Sequence, residues 1–451
     1  MGGKMIDEAE GRPTTPSPNK AANEPSYSLK IIKLDCGDAA TNRPFIPIRK
    51  NKTTELSSVW TDGKSDKLIW GIVGKGSSNN FKIYAQFRFK NNNGNNIPVK
   101  GVVYEKKSRS VKVAKSNEVS VSRETGNDTA TVAFTFSSLA IRGFSKQNFS
   151  FAFMYKDISG SWASMKSVPV TVYFIPSKPN KPWNADVKGD KQNPWTDALD
   201  KLLGWGVKGM DDQAKIATQI TKYIYKSINF KYDILTFDKN GRITGGGGAT
   251  RLSSGGVFDC TKFLKDVRKK RIVGNCTDCA TLVRTFSNLL GSELNRKRFG
   301  MEHGYFYCNK IKTIGYSRVW QYPFPVDNNG NPLDVTKANS ARLAVRGRFG
   351  YHEIAFDGTG SHTDKIYDPC LNVNEDVLKG TFKEKWSANT QFAIKGDGGY
   401  NANGKSFTSD SKIEYREMLV LDGLVLDEYG YCHSLNNASI SAYNANWEGL
   451  K

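Results

Sequence analysis

The sequence has no apolar run approaching the roughly 18 to 20 residues of a membrane-spanning helix. Its first residues, from Met1 to Glu8, lack the apolar stretch of a secretory signal, so a soluble chain without Sec export is the expectation. Histidine is scarce: four among 451 residues, at positions 303, 352, 362 and 433, which leaves few candidates for any imidazole base. Seven cysteines are both odd and sparse, so they cannot all pair within one chain and do not make the dense framework of a small secreted domain. Some of them are therefore thiols. Acidic residues fall short as well, 44 Asp+Glu against 65 Lys+Arg, for a net charge of +21 that is spread along the chain and favours acidic partners without naming one. The glycine run Gly245 to Gly248 is not closed by Gly-Lys-Ser/Thr and so is no Walker-type phosphate loop. An EF-hand-like acidic calcium loop is also missing.

What is present is enough for a folded protein of two or three domains, with 38% hydrophobic and 12% aromatic residues. Residues 1–26, with Pro13, Pro16 and Pro18, read as a flexible leader. From 27 to 176 come short alternating runs, at 29–34, 67–73, 81–89, 101–104, 110–113, 129–136, 148–155 and 168–174. Phe81, Ile83, Ala85, Phe87 and Phe89 show the period of two, and the turn-like 91–96 separates two runs. Seven or eight strands in this length predict a β-sandwich, immunoglobulin-like in general form. Its basic cluster Lys106, Lys107, Arg109, Lys112 and Lys115 lacks an aromatic stacking platform, so it reads as a solvated hairpin face and not as a nucleic-acid site. Three prolines, Pro176, Pro179 and Pro182, mark a boundary, and 177–194 reads as a Pro-rich linker. Residues 195–451 then form a second domain whose predicted helices are 195–203, 211–228 and 258–270, with an extension from about 373.

The segment 273–291 carries the chemistry. Cys279, Leu282, Val283, Phe286 and Leu290 share one face of a helix that Gly291 can end. Cys276 then lies in its first turn, where free N–H groups and the helix dipole favour a thiolate. A nucleophile of this kind needs a base and a group to orient the base. His352 opens the strand-like 351–356, and a second run, 365–369, follows the turn Asp357-Gly-Thr-Gly, so a hairpin can bring His352 beside Asp368. Other readings stay open at this point. Cys276-Thr-Asp-Cys279 is a C-x-x-C that could be redox-active, or half of a zinc site with Cys260 and Cys308. Asp278 reads as a first-turn carboxylate, Cys279 as core, and His303 and His362 as surface residues.

At these residues the sequence resembles the transglutaminase-like superfamily, whose core is shared with papain-type cysteine peptidases. The matching positions are Gly274, Cys276, Ala280 and Gly291 in the first block, and His352 with Asp368-Pro369, sixteen residues on, in the second. The preceding amphipathic segment 220–232 fits the same pattern, so the resemblance covers roughly 205–372. It implies an α+β papain-like domain with Cys276 as nucleophile, His352 as general base and Asp368 as its orienter, working without a metal or cofactor. The implied activity is thiol-dependent acyl transfer on amide bonds of a protein or peptide substrate, as a cysteine peptidase or protein deamidase. Protein crosslinking by a transglutaminase is the alternative, and a binding or adaptor protein with an inactive papain-like domain is the competing class. The chain departs from the family at Ile354, where an aromatic is usual, and in the longer stretch from Gly291 to His352. The basic residues Lys262, Lys265, Arg268, Lys269, Lys270, Arg271 and Arg296 to Arg298 are either solvated helix ends or an entrance that attracts acidic substrate. The sandwich would be free to bind a partner protein or glycan. The combination of domains, without a Sec signal, is compatible with a bacterial effector exported by another route, and equally with an intracellular enzyme.

Overall fold

The computed structural model describes residues 27–301 apart from 38–44, 65–67, 75–79, 91–95, 106–107, 124–126, 138, 140–142, 188–189, 234–235, 238–242, 246–248, 255–256 and 270–271. Beyond 301 it describes 306–308, 311–314, 347–349, 351–357, 365–373, 394–395, 424–426, 432–434, 438–441 and 449–450. The leader 1–26, most of the glycine run after Gly245, His303, His362 and the turn 358–364 lie outside the described residues.

The described residues of the N-terminal half are built of β-strands. Its strands are β1 (Ser28–Asp35), β2 (Phe45–Ile46), β3 (Val59–Thr61), β4 (Leu68–Val73), β5 (Phe81–Lys90) and β6 (Ile97–Glu105), followed by β7 (Ser108–Val121), β8 (Thr129–Phe136), β9 (Ser145–Lys156), β10 (Trp162–Ser164) and β11 (Val168–Ile175). All eight predicted runs are strands. The short β2, β3 and β10 lack enough length for a legible period, and β7, at 14 residues, far exceeds the run expected at 110–113. In β5 burial alternates along the whole strand, with Phe81, Ile83, Ala85, Phe87 and Phe89 inward and lysine, tyrosine and arginine outward.

These strands form one large curled mixed sheet. Ten follow the order β2-β4-β11-β9-β6-β7-β8-β5-β1-β3, with β10 paired to β9, and β11 runs parallel to β4. Long β7 joins the two arms: it pairs with β6 from Val121 to Ser108 through three irregularities, and its ladder with β8 is the single pair Ser116–Phe136. Bulges of this kind bend and twist a strand, and here they coincide with the curl. The arms face each other across an aromatic core in which Phe153 of β9 meets Phe87 of β5 and Phe134 of β8, at ring separations of 5.7 and 5.1 Å. Such edge-to-face pairs add to simple burial of area.

Among the described residues four helices follow: α1 (Thr196–Leu203), α2 (Gln213–Ser227), α3 (Cys260–Arg268) and α4 (Cys276–Leu289). Asp212 and Asp259 cap α2 and α3 by accepting from Lys215 N at 2.9 Å and Lys262 N at 2.8 Å, which fixes where each begins. The periodicity of α4 suggests one buried face, yet every residue in it is buried. The reason is that it is covered on several sides, by α2, by the strand Tyr351–Asp357 and by the segment before α1. Several of its polar side chains are satisfied internally, although Ser287 Oγ finds no partner among the described residues. Asn288, for example, donates to Leu294 O at 3.0 Å and accepts from Leu294 N at 2.9 Å.

The segment 177–194, expected as a linker, is packed. Trp183 is buried and donates through Nε1 to Thr285 O of α4 at 2.6 Å, Asn180 N donates to Asn288 O at 2.9 Å, and Trp183 and Trp195 meet edge to face at 5.8 Å. Two large indoles in a Pro-rich stretch drive its burial, because leaving them in water would cost more than ordering a short chain already stiffened by proline. Sheet and helices share one core across this seam, since Ile48, Phe144, Tyr173 and Ile175 pack with residues of α1, α2 and α4. Tyr173 Oη donates to Asp200 Oδ1 at 2.7 Å beside Lys146, which adds a polar tie.

Gly291 ends α4 with φ +93°, and a Cβ there would lie 2.3 Å from Ser177 Cβ. Gly291→Ala is therefore expected to lower stability by about 2–4 kcal/mol, combining left-handed backbone strain with a steric clash. Urea denaturation checks this: an unchanged midpoint would show that the strap at Ser177 moves aside freely.

Candidate active site

Helix α4 starts where a capping box places it. Asn275 is the N-cap, its side chain accepting from Asp278 N at 3.1 Å, while Asp278 Oδ2 accepts from Asn275 N at 3.1 Å. Cys276 is thus the first residue of α4, at the positive end of the helix dipole. Gly274 precedes it because a Cβ there would sit 2.4 Å from Asp278 Oδ2; the glycine of the Gly-x-Cys pattern makes room for the capping carboxylate.

The other two residues come from a sheet with the order Ile394–Lys395, Lys365–Tyr367, Tyr351–Asp357, Leu294–Met301, Ala438–Ser441, all antiparallel. The pair Ala355–Tyr367 fixes its register. Continued by one residue, that register sets Asp368 across from Ile354, on the same face as His352 and diagonal to it, a separation that longer side chains span. His352 Nε2 lies 2.8 Å from Asp368 Oδ2, and both residues are buried. Asp368 is itself held by Cys370 N, which donates to Oδ1 at 2.7 Å. The Cys276 side chain is near enough to favour the protonated imidazole, so the three sequence-predicted site residues lie in one neighbourhood.

Electrostatics favours a charged site. Burial alone pushes the His352 imidazole down, but the charge of Asp368, its hydrogen bond and the Cys276 sulfur outweigh burial and raise it to about 10. At neutral pH the ring is then an imidazolium.

Several neighbours were not evident in the sequence. Asp278, buried, accepts from Arg251 N and Leu252 N at 2.8 Å each and from Ser253 Oγ at 3.1 Å, besides Asn275 N. It thereby clamps 251–253 to the start of α4. Burial raises its carboxyl, against these hydrogen bonds, which lower it. Asp233 holds the same loop, accepting from Ala249 N at 3.1 Å and pairing with Arg251 at 3.2 Å. Cys370, next to Asp368-Pro369, is buried, and so is its neighbour Cys279, whose sulfur it influences. The Asn275-x-x-Asp278 spacing is a legible capping signal; nothing in the sequence marks the Cys279–Cys370 contact.

The basic rim needs correction at Arg296. Its Nη1 donates to Thr281 Oγ1 at 2.9 Å and pairs with Glu353 Oε2 at 3.3 Å, both ends of the ion pair being buried, so it braces the sheet against α4 and faces no solvent. On α3, Lys262, Lys265, Arg268 and Lys269 are exposed. Lys270 and Arg271 and the side chains of Lys297, Arg298, Cys308 and His433 lie outside the described residues. Cys260 is buried in the first turn of α3, where burial and Asp259 raise its thiol well above the ordinary value. Among the described residues, no group of three or more His, Cys, Asp or Glu side chains is placed to hold a metal ion, and no helix is long and apolar enough to cross a membrane. The chain matches no protein-family model and no curated protein.

Proposed function

We propose that the protein is a thiol-dependent acyl-transfer enzyme acting on amide bonds through Cys276, His352 and Asp368, a cysteine peptidase or protein deamidase with a papain-like catalytic region and an immunoglobulin-like N-terminal region. One observation carries this reading: His352 Nε2 stands 2.8 Å from Asp368 Oδ2, with the thiol at the start of α4 near enough to influence the ring. In this mechanism the proton of Cys276 already rests on His352 as the imidazolium, and the sulfur attacks the amide carbonyl. The Cys276 backbone N–H supplies one donor to the oxyanion. The imidazolium then protonates the departing amine or ammonia, leaving a thioester. Water releases acid, whereas an amine acceptor gives a crosslink. Hydrolysis is favoured because water needs no dedicated acceptor site.

The competing reading, a binding module with an inactive papain-like region, is favoured by a different observation: Cys276 is only 2% exposed. Turnover thus requires the surroundings of the thiol to open for the substrate. The test is incubation of the wild type and Cys276→Ala with a proteome, followed by mass spectrometry. New termini mean peptidase, Gln→Glu or Asn→Asp conversion means deamidase, and branched peptides mean transglutaminase. The enzyme reading fails if the two proteins leave identical proteomes and iodoacetamide labels Cys276 no faster than Cys36, a thiol that burial pushes up to about 12.

A further inference from the structure

The loop before α3 carries a cation that neither the capping box nor the triad uses. Residues 249–253 lie against the start of α4 and are held there by backbone groups: Ala249 N donates to Asp233, while Arg251 N and Leu252 N donate to Asp278. Thr250 Oγ1 also accepts from Asn275 Nδ2 at 2.9 Å, at the residue just before Cys276. The loop is thus tied down without the Arg251 side chain. That side chain is 49% exposed, and its Nη2 lies 3.2 Å from Asp233 Oδ2. Asp233 is in turn fixed to the strand that leads into α4, because its N–H donates to Gly274 O at 2.8 Å. We propose that Arg251 is a specificity-determining residue that receives a carboxylate of the substrate, so that the amide presented to Cys276 is flanked, within about three residues, by Asp or Glu. The proposal rests on the reading of Cys276 as the nucleophile and gives that reading a substrate class, the acidic peptide.

Position, donor geometry and surroundings each point to this role. Gly274 stands two residues before Cys276, and a chain spans at most roughly 3.3–3.6 Å per residue, so the carboxylate that orients Arg251 is anchored within about 7 Å of the Cys276 Cα. An extended substrate crosses such a span in two residues, and the length of the arginine side chain adds about one more. Asp233 takes one N–H of Nη2, and among the described residues the guanidinium has no further partner. Guanidinium is a planar fork of several donors, so the rest of it can take a second carboxylate side by side, in the bidentate manner. Asp233 is buried behind it and the fork is open to solvent in front, which holds the group in one orientation before substrate arrives and lowers the entropic cost of binding.

The surface beside this loop has the same sign. Lys231 is exposed and stands opposite Val273, also exposed, in the parallel pair of Phe230–Tyr232 with Ile272–Gly274 that leads into α4. Lys265, Arg268 and Lys269 line the exposed face of α3 just before that pair. The carboxylates closest in this network, Asp233 and Asp278, are buried and already engaged with the loop. Asp233 cancels one positive charge and leaves the others, so an approaching peptide meets a positive field, and Arg251 is the member of that field with a fixed orientation.

The experiment labels the full chain with short peptides whose central diaminopropionic acid carries an iodoacetyl group, so that the Cys276 sulfur displaces iodide and keeps the peptide. Each flanking position is in turn Glu, Gln or Lys, and mass spectrometry of the tryptic peptide 272–284 gives the rate at Cys276. At one or more positions the Glu probe is expected to label the wild type about three- to tenfold faster than its Gln counterpart. Arg251→Gln should bring that ratio to about one, Arg251→Lys should keep a smaller preference, and Arg251→Glu should turn the preference to the Lys probe. A ratio near one at every position in the wild type overturns the proposal. So does a ratio that survives in Arg251→Gln: a loss of labelling shared equally by the Glu and Gln probes would mean that Arg251 only holds the loop. A Cys276 inert to every probe and to iodoacetamide brings down the nucleophile and this proposal together, whereas a Cys276 that labels fast without regard to Glu brings down this one alone.

Discussion

Asp368→Asn is expected to slow iodoacetamide labelling of Cys276 at pH 7 by about 100-fold, with a comparable or larger loss of turnover. The substitution keeps the shape of the side chain and removes the charge that raises His352 to about 10 against the opposing effect of burial. It also leaves one acceptor where two are used: Oδ2 faces His352 Nε2 and Oδ1 faces Cys370 N. An amide that keeps its oxygen on Cys370 N must turn its NH2 toward the imidazole, which forces the other tautomer; turned the other way, it sets two donors against each other. The pH profile separates this from simple damage. In the wild type, labelling should change as pH approaches 10, where the imidazolium gives up its proton. In the variant that change should move to lower pH, because the charge of Asp368 no longer supports the protonated ring. A labelling rate within about twofold of wild type, with an unchanged profile, would show that Asp368 neither charges nor orients the ring.

The same shift has a consequence for stability. A histidine raised in the folded state contributes stabilisation that is complete below its ordinary value of 6.5 and is lost as pH rises through about 10. The triad thus holds the fold together across neutral pH, and alkali removes that support.

Much of this site was legible because its signals are local or depend on register. The helix period around Cys279 to Leu290, the N-terminal place of Cys276, and the even spacing of His352 and Asp368 about a turn each follow from short-range geometry. The alternation in β5 is equally local. What was hidden depends on long-range packing. Nothing in the sequence shows that long β7 would join the arms into one sheet, since strand pairing is set by partners far along the chain. The linker reading of 177–194 rested on its prolines, and the tertiary burial of Trp183 and Trp195 overrides it. Arg296 looked like part of a basic surface run, yet Glu353 on the adjacent strand draws it inward. Composition cannot reveal such a pair, because each residue alone is one normally found in water.

Asp278→Ala is expected to destabilise the protein by about 3–5 kcal/mol, the largest single loss of stability at the site. Removing the carboxylate strands three backbone donors, Arg251 N, Leu252 N and Asn275 N, together with Ser253 Oγ, in a region where Leu252, Asn275 and Asp278 are all buried. Each buried donor left without an acceptor costs about 1–3 kcal/mol, and partial relaxation keeps the total below the full sum. The empty volume also frees the loop that Gly274 and Asp233 help to position. Asp278→Asn keeps the volume and half the acceptors, but its NH2 must face either the Arg251 and Asn275 amides or the Leu252 amide and the Ser253 hydroxyl. It should therefore recover only part of the loss, about 1–2 kcal/mol of it. Urea denaturation measures both variants, with the midpoint falling and the slope unchanged if the denatured state is unaffected. Limited proteolysis adds the local readout: cleavage after Arg251 should accelerate in both, and most in the alanine variant. Equal stability of Asp278→Asn and wild type would mean that a neutral side chain serves the capping box and the loop equally well, and that the ionised carboxylate is not what ties the nucleophile helix to residues 251–253.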